Sequence, residues 1–187
     1  AIRRQSRPRG IGQMQPWHDR RSPRLAGFDY SHPGPYFVTV CTWGREPVLG
    51  QVTAQQMHVS LAGRAVLDAW AAIPHRFPAV DLDAFVIMPN HIHGILVLGG
   101  DPGQRDIPQP DLAAVMRAFK SISAIHGNTA LARANQPFWQ RGYHDRVVRS
   151  DRELAHIRRY VSDNPARWET DIENPSSPHS DRHPWAR

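Results

Sequence analysis

The sequence contains a single cysteine, Cys41, and a single lysine, Lys120. One thiol excludes a disulfide framework and a cysteine-built zinc site within the chain. No apolar stretch approaches the roughly 20 residues that a membrane-spanning helix needs. The arginine-rich N-terminus lacks the apolar core of a secretory signal. A reduced, cytoplasmic compartment is therefore expected. The 187 residues suit one domain with tails, long enough to bury a core, and no internal repeat is present.

Arginine is what the chain has in excess. Lysine and arginine total 23 against 17 acids, for a net charge of +6 and a pI near 10.4. Arginine presents a planar fork of donors that grips phosphate, so the composition points to a nucleic-acid partner. A base composition favouring Arg, Ala and Pro codons would produce the same bias, so charge alone does not decide. Residues 1–24 hold seven arginines against one acid, Asp19, and read as a basic N-terminal arm. Residues 169–187 are rich in Pro, Ser and Asp and read as an irregular tail. The domain is expected at 25–168.

Inside those limits strands and helices alternate. "YFVTVCTW" (36–43) has the β-branched and aromatic content of a strand. From Val59 to Ile73, Leu61, Ala65, Val66, Ala69, Trp70 and Ile73 recur at helical spacing, and Pro74 closes the segment. "DLDAFVIM" and "HIHGILVL" are two strands joined at Pro89-Asn90. A second helix from about Asp111 shows Leu112, Val115, Met116, Phe119 and Ile122 on one face. "YHDRVVR" (143–149) is a fourth strand, and Ser150 with Glu153 matches a capping box opening the last helix. That helix is expected to end near Asn164, because Pro165 disfavours helical geometry before it. The order βαββαβ plus a helix predicts an α+β fold, ferredoxin-like or RRM-like, with helices on an antiparallel sheet.

His91 and His93 interrupt an otherwise aliphatic strand. Alternation puts both on one face, where two imidazoles can chelate a divalent ion, although a pair of half-exposed histidines reads the same way. On the last helix, Leu154, Ile157 and Val161 form the buried stripe. Glu153, Tyr160 and Asn164 lie together on its flank, with Tyr160 and Asn164 one turn apart. Asn164 can lend a carbonyl oxygen to an ion and Tyr160 a hydroxyl beside it, although by themselves they read as an interfacial tyrosine and an ordinary helix-terminal asparagine. A metal next to a phenol suggests phosphoryl transfer.

"MPNHIHGIL" followed some seventy residues later by "YVSDNPARW" resembles the REP-associated tyrosine transposases, within the single-tyrosine transposases built on a His-hydrophobic-His motif. "RRSPRLAGFDYSHPGPYFVTVCT" and "FWQRGYHDRVVRSDREL" are similar to the same family, and the likeness spans roughly residues 19–168. The resemblance implies that Tyr160 is the nucleophile, carried on the C-terminal helix. It makes His91 and His93 metal ligands, with Asn164 the third. It implies cleavage of single-stranded DNA through a 5′-phosphotyrosine, leaving a free 3′-hydroxyl, and rejoining by reversal without ATP. The implied substrates are REP-like palindromic hairpins with a GTAG-like tetranucleotide at the foot. A bacterial, DNA-associated protein, monomer or homodimer, with no membrane partner, follows from the same likeness.

Two imidazoles and an amide suit Mn²⁺ and, less comfortably, Mg²⁺. Mg²⁺ is expected in cells by availability, with Mn²⁺ as a substitute. Arg20, Arg21 and Arg24 of the arm are candidate DNA-binding residues, as are Arg117 and Lys120 on the second helix, which read equally well as a solvated helix face. Phe138, Trp139 and Tyr143 are candidate stacking platforms, with core packing the stronger reading for Phe138 and Trp139. No general base is evident; His144 and Asp145 on the fourth strand are the nearest candidates, with a plain strand-face role the stronger reading. Two other readings compete: a hairpin-binding protein without cleavage, and an RRM-like RNA-binding module. The second lacks the aromatic pair that such modules carry on a central strand.

Overall fold

The computed structural model describes residues 32–99, 110–171 and 173–178. The basic arm, with Arg20, Arg21 and Arg24, lies outside the described residues, as do 179–187 of the expected tail. Strand β1 (Gly34–Cys41) leads to a hairpin of β2 (Gly50–Thr53) and β3 (Gln56–Val59). Helix α1 (Leu61–Ala71) and the single turn α2 (Ile73–Arg76) follow, then β4 (Val80–Met88) and β5 (His91–Leu98). Helix α3 (Leu112–Ala130), strand β6 (His144–Val147) and helix α4 (Asp151–Asp163) complete the regular elements, before a 3-10 segment at Pro165–Thr170.

The main sheet is antiparallel in the order β4-β5-β1-β6. With the β2–β3 hairpin set aside, this is the ferredoxin-like strand order that βαββαβ predicts. One face is covered by α1 and α3, around Val38, Val40, Trp70, Ile92, Leu96, Met116 and Phe119. The other face is covered by α4, whose Ile157 and Val161 meet Phe37, Ile95 and Val148. Alternation along β5 sorts its residues cleanly: Ile92 and Leu96 to the first core, Ile95 to the second. His91 and His93 share the α4 face with Ile95.

Gly94 makes room for this packing. A methyl group there would overlap the Trp70 ring, itself stacked on Phe85 with centroids 4.6 Å apart.

Helix α4 crosses its face diagonally. At its start Arg146 on β6 pairs with Glu153 at 2.6 Å, and further along Arg158 pairs with Asp83 on β4 at 2.5 Å. Asp83 sits where the β4–β5 register shifts between Leu82 and Phe85, a bulge that re-aims side chains. Ser150 caps α4 by accepting from the Glu153 amide at 3.2 Å. Glu153 returns a bond to the Arg149 amide at 2.9 Å, one residue earlier than a standard capping box.

Several local expectations change. Leu61, part of the helical apolar spacing, is 78% exposed at the first position of α1, while Ala62 and Val66 are buried. Pro74 does not close α1; it opens α2, where the missing amide costs nothing. Asn164 keeps helical angles (φ −58, ψ −43), because Pro165 begins the following 3-10 segment rather than breaking the chain direction. Thr170 ends that segment, so the expected tail starts inside it. Asp171, Glu173, Asn174 and Ser177 are then buried against the domain. Among its described residues that stretch carries no helix or strand, yet it packs as part of the body.

Candidate active site

The register fixes one row of side chains across the sheet. Val86 pairs with His93, His93 with Thr39, and Thr39 with His144, so all four face α4. His91 lies two residues along, opposite Cys41 and Met88. Both histidines are buried, at 0% and 2% exposure. Their Nε2 atoms stand 3.1 Å apart.

The protonation of His91 follows from its neighbour. Asn90 donates through Nδ2 to the carbonyls of Arg45 (3.2 Å) and Glu173 (2.8 Å), which fixes its amide orientation. Its Oδ1 therefore faces His91 Nδ1 at 2.8 Å and accepts from it. His91 Nε2 is left with a lone pair directed into the site. His93 Nδ1 lies 2.7 Å from Thr39 Oγ1, a hydroxyl able to accept or donate. Thr39 thus serves either tautomer of His93. Burial, then His93, then Arg45 hold His91 well below the ordinary histidine range, so it is neutral at physiological pH. Neutral imidazole is the form that binds metal.

Helix α4 delivers Tyr160 and Asn164 to the same place. Tyr160 Oη lies 3.2 Å from His93 Nε2. Phe37 supports the group, stacking on His93 at 5.4 Å and meeting Tyr160 edge-on at 6.1 Å. Burial raises the Tyr160 pKa above the usual phenol value, and the charge of Asp171 adds to the rise. Asn164 is 1% exposed, and neither its Nδ2 nor its Oδ1 has a hydrogen-bond partner. Its amide is nevertheless close enough to Tyr160 and Asp171 to favour the charged form of each. An orphaned buried amide costs about 1–3 kcal/mol, a cost that a bound polar group or ion would remove. Glu153, on the same flank by sequence, is two turns away and holds Arg146 instead.

Asp171 was not foreseen. His91, His93 and Asp171 each offer a ligand atom, and those atoms lie within 4.8 Å of one another, all on buried residues. This buried His-His-Asp group can hold a metal ion. Two nitrogens at right angles on an ion with bonds of about 2.1 Å would be about 3.0 Å apart, close to the separation of the two Nε2 atoms. Without a cation between them, two lone pairs would face each other unless His93 Nε2 carries a proton. The donor set and the orphaned amide therefore fit a divalent ion. Glu173 lies behind this group, paired with Arg45 at 3.0 Å and accepting from Cys41 Sγ at 3.3 Å.

The remaining candidates divide. Arg117 is exposed on α3. Lys120 is not available as a phosphate contact: its ammonium donates to the carbonyls of Gln140 (2.7 Å), Arg141 (3.0 Å) and Gly142 (2.9 Å). Burial pulls its pKa to about 8, while three carbonyl acceptors favour the cation it still carries at neutral pH. Its role is to clamp the loop before β6. Phe138 and Trp139 are core residues, with Trp139 Nε1 bonded to Ser123 Oγ at 2.9 Å. Tyr143 is half-buried against the same core. His144 shares the row of Thr39, and Asp145 alternates to the other face.

No protein-family profile matches the chain. An uncharacterized protein of Haemophilus influenzae is 34% identical over 171 residues, covering 82% of this chain and 92% of that protein. Among solved structures, a REP-associated tyrosine transposase bound to a REP hairpin aligns with a TM-score of 0.52 at 21% identity, over 75% of this chain and 71% of that one. The second comparison establishes a shared fold. Among the described residues no helix is long and apolar enough to cross a membrane.

Proposed function

We propose a function from the premise that this chain belongs to one family with the uncharacterized Haemophilus influenzae protein and has the fold of a REP-associated tyrosine transposase. On this reading it is a metal-dependent enzyme that cleaves and rejoins single-stranded DNA at palindromic, REP-like hairpins. The observation that carries the reading is the convergence of Tyr160 Oη on His93 Nε2, with His91 Nε2 beside it. The bound hairpin of the structural relative supports the substrate class.

His91 and His93 would hold the ion, with the Asn164 carbonyl oxygen beside them. When bound, the ion supplies charge neutralisation at the scissile phosphate and orients it for in-line displacement. Tyr160 attacks phosphorus through Oη, giving its proton up to solvent water as the new P–O bond forms. The bond from phosphorus to the 3′-oxygen breaks, and that oxygen takes a proton from solvent to become a hydroxyl. The 5′-phosphate stays on Tyr160, and the 3′-hydroxyl can reverse the step. Phe37 packs on both rings and keeps the phenol aimed at the phosphate position. Thr39 and Asn90 fix the rings of the two histidines. Mg²⁺ is proposed as the ion used in cells, with Mn²⁺ substituting.

The RNA-binding alternative fits less well. An RRM-like module uses an open sheet face for stacking bases, whereas here α4 covers the face that holds Phe37. Binding without cleavage would leave the Tyr160–His93 contact without a chemical use. Incubating wild type and His91→Ala with a REP-like hairpin bearing a single-stranded flank separates these readings. Wild type should cleave in Mn²⁺ and not in excess EDTA, and His91→Ala should bind the hairpin without cleaving it. Equal cleavage by wild type in EDTA would remove the ion from the mechanism.

A further inference from the structure

We propose that Asp171 is a direct ligand of the ion, brought to the histidines by the segment that follows the tyrosine helix. This rests on the reading above that a divalent ion sits at His91 and His93. It departs from a ligand set taken only from β5 and α4.

Position is the first argument. The carboxylate lies with the two imidazoles inside a 4.8 Å cluster of ligand atoms. The neighbouring Asn164 side chain is almost fully buried and has both polar atoms unpartnered. An acidic residue alone would not make a site; a buried amide beside it with no hydrogen-bond partner of its own is a second polar group that a bound ion would satisfy.

Charge is the second argument. Asp171 and Glu173 bring two carboxylates beneath the surface, at 7% and 3% exposure. Arg45 answers Glu173, while Arg167 lies outside and reaches Asp163 at 3.5 Å. Counting these side chains, two carboxylates face one buried cation, an excess of one negative charge. Burying a carboxylate without a counter-charge is costly. A divalent ion turns that excess into one positive charge, which a single phosphodiester would neutralise. An added carboxylate also makes the donor set harder, favouring Mn²⁺ or Mg²⁺ over a softer ion.

Attachment is the third argument. Asp171 Oδ1 accepts from the Glu173 amide at 2.7 Å, which folds the segment into a tight turn. The Glu173 carbonyl is held by Asn90 Nδ2. The same Asn90 side chain orients His91 through Oδ1. One amide therefore ties the Asp171 turn to a metal-binding histidine, and ion occupancy should tighten the segment 171–178.

Mn²⁺ titration of the full-length protein, by calorimetry and by electron paramagnetic resonance, tests this without reference to activity. Asp171→Asn should weaken Mn²⁺ by at least roughly tenfold. Its ion-free form should melt no lower than wild type, because a buried charge has been removed. Asp171→Asn binding Mn²⁺ within twofold of wild type, while His91→Ala does not bind, would overturn Asp171 as a ligand and leave the histidine site standing. Retained binding in His91→Ala would instead overturn the histidine site. Hydrogen exchange on wild type gives a second measurement that needs no variant. The amides of Asp171, Glu173, Asn174, Ser176 and Ser177 should gain protection with Mn²⁺, and unchanged exchange there would contradict the proposal.

Discussion

The hydroxyl of Tyr160 stands 3.2 Å from Nε2 of His93, joining a residue of the last helix to one on a central strand. The contact depends on how α4 lies across the sheet. Two ion pairs set that angle, Arg146–Glu153 near its start and Arg158–Asp83 further on. Arg158 holds both Asp83 oxygens through Nε and Nη2, only two residues before Tyr160.

Asp83→Ala should therefore slow formation of the covalent DNA adduct more than it weakens Mn²⁺ binding. The pair is largely solvent-exposed on the Arg158 side, so the effect on melting temperature should be small. A charge-swapped pair, Asp83→Arg with Arg158→Asp, should recover part of the rate. Unchanged adduct kinetics in Asp83→Ala would show that apolar packing alone positions the helix.

Thr39 is the hydrogen-bond partner that lets His93 change tautomer. Thr39→Val keeps the shape of the strand and removes that partner. Mn²⁺ affinity should fall roughly 10–100-fold while the fold remains intact by circular dichroism. Wild-type affinity in Thr39→Val would mean that His93 is oriented by Phe37 packing alone.

Burial holds His91 well below the usual histidine range, with His93 and Arg45 pushing the same way. Below about pH 6.5 the unfolded chain takes up a proton that the folded protein refuses. This part of the stability is fully present above that value and is lost as pH falls toward the folded pKa. The ion-free protein should accordingly melt lower at about pH 5.5 than at about pH 7.5, and His91→Gln should reduce the slope. Asp171, raised by burial first and retaining its proton more readily when folded, contributes in the opposite sense at lower pH. An identical slope in His91→Gln would assign the titration to another group.

Gly94 separates the site from the core beneath it. Gly94→Ala would drive a methyl group into the Trp70 ring and should cost about 1–3 kcal/mol in denaturant unfolding. A neutral effect would show that Trp70 and Phe85 can move together to admit it.

Much of this arrangement is legible in the sequence because it rests on strict periodicities. Alternation alone puts His91 and His93 on one face, and helical spacing puts Tyr160 one turn from Asn164. The β2–β3 hairpin escapes because its turn is Ala54-Gln55, both at positive φ (50 and 63), rather than the Asn-Gly or Asp-Gly pair that signals such turns. Lys120 reads as a free surface cation; its three carbonyl partners lie some twenty residues away and carry no local signature. Asp171 is hidden for a related reason. A segment rich in Pro, Ser and Asp has the composition of a loose tail, and it is drawn inward by long-range bonds to Asn90, Arg45 and Cys41 that leave no local signature.

The central claim is that Tyr160 is the nucleophile, and the covalent adduct tests it most directly. Tyr160→Phe loses one hydroxyl and keeps the ring against Phe37 and His93, so it should fold, bind Mn²⁺ and bind a hairpin as wild type does. With a cleavable strand labelled at its 3′ end, wild type should carry the label on a denaturing gel, and Tyr160→Phe should carry none. With a 5′ label, wild type should release the fragment. An adduct that persists in Tyr160→Phe, or one retaining the 5′ label, would contradict the assignment of the nucleophile or of its polarity.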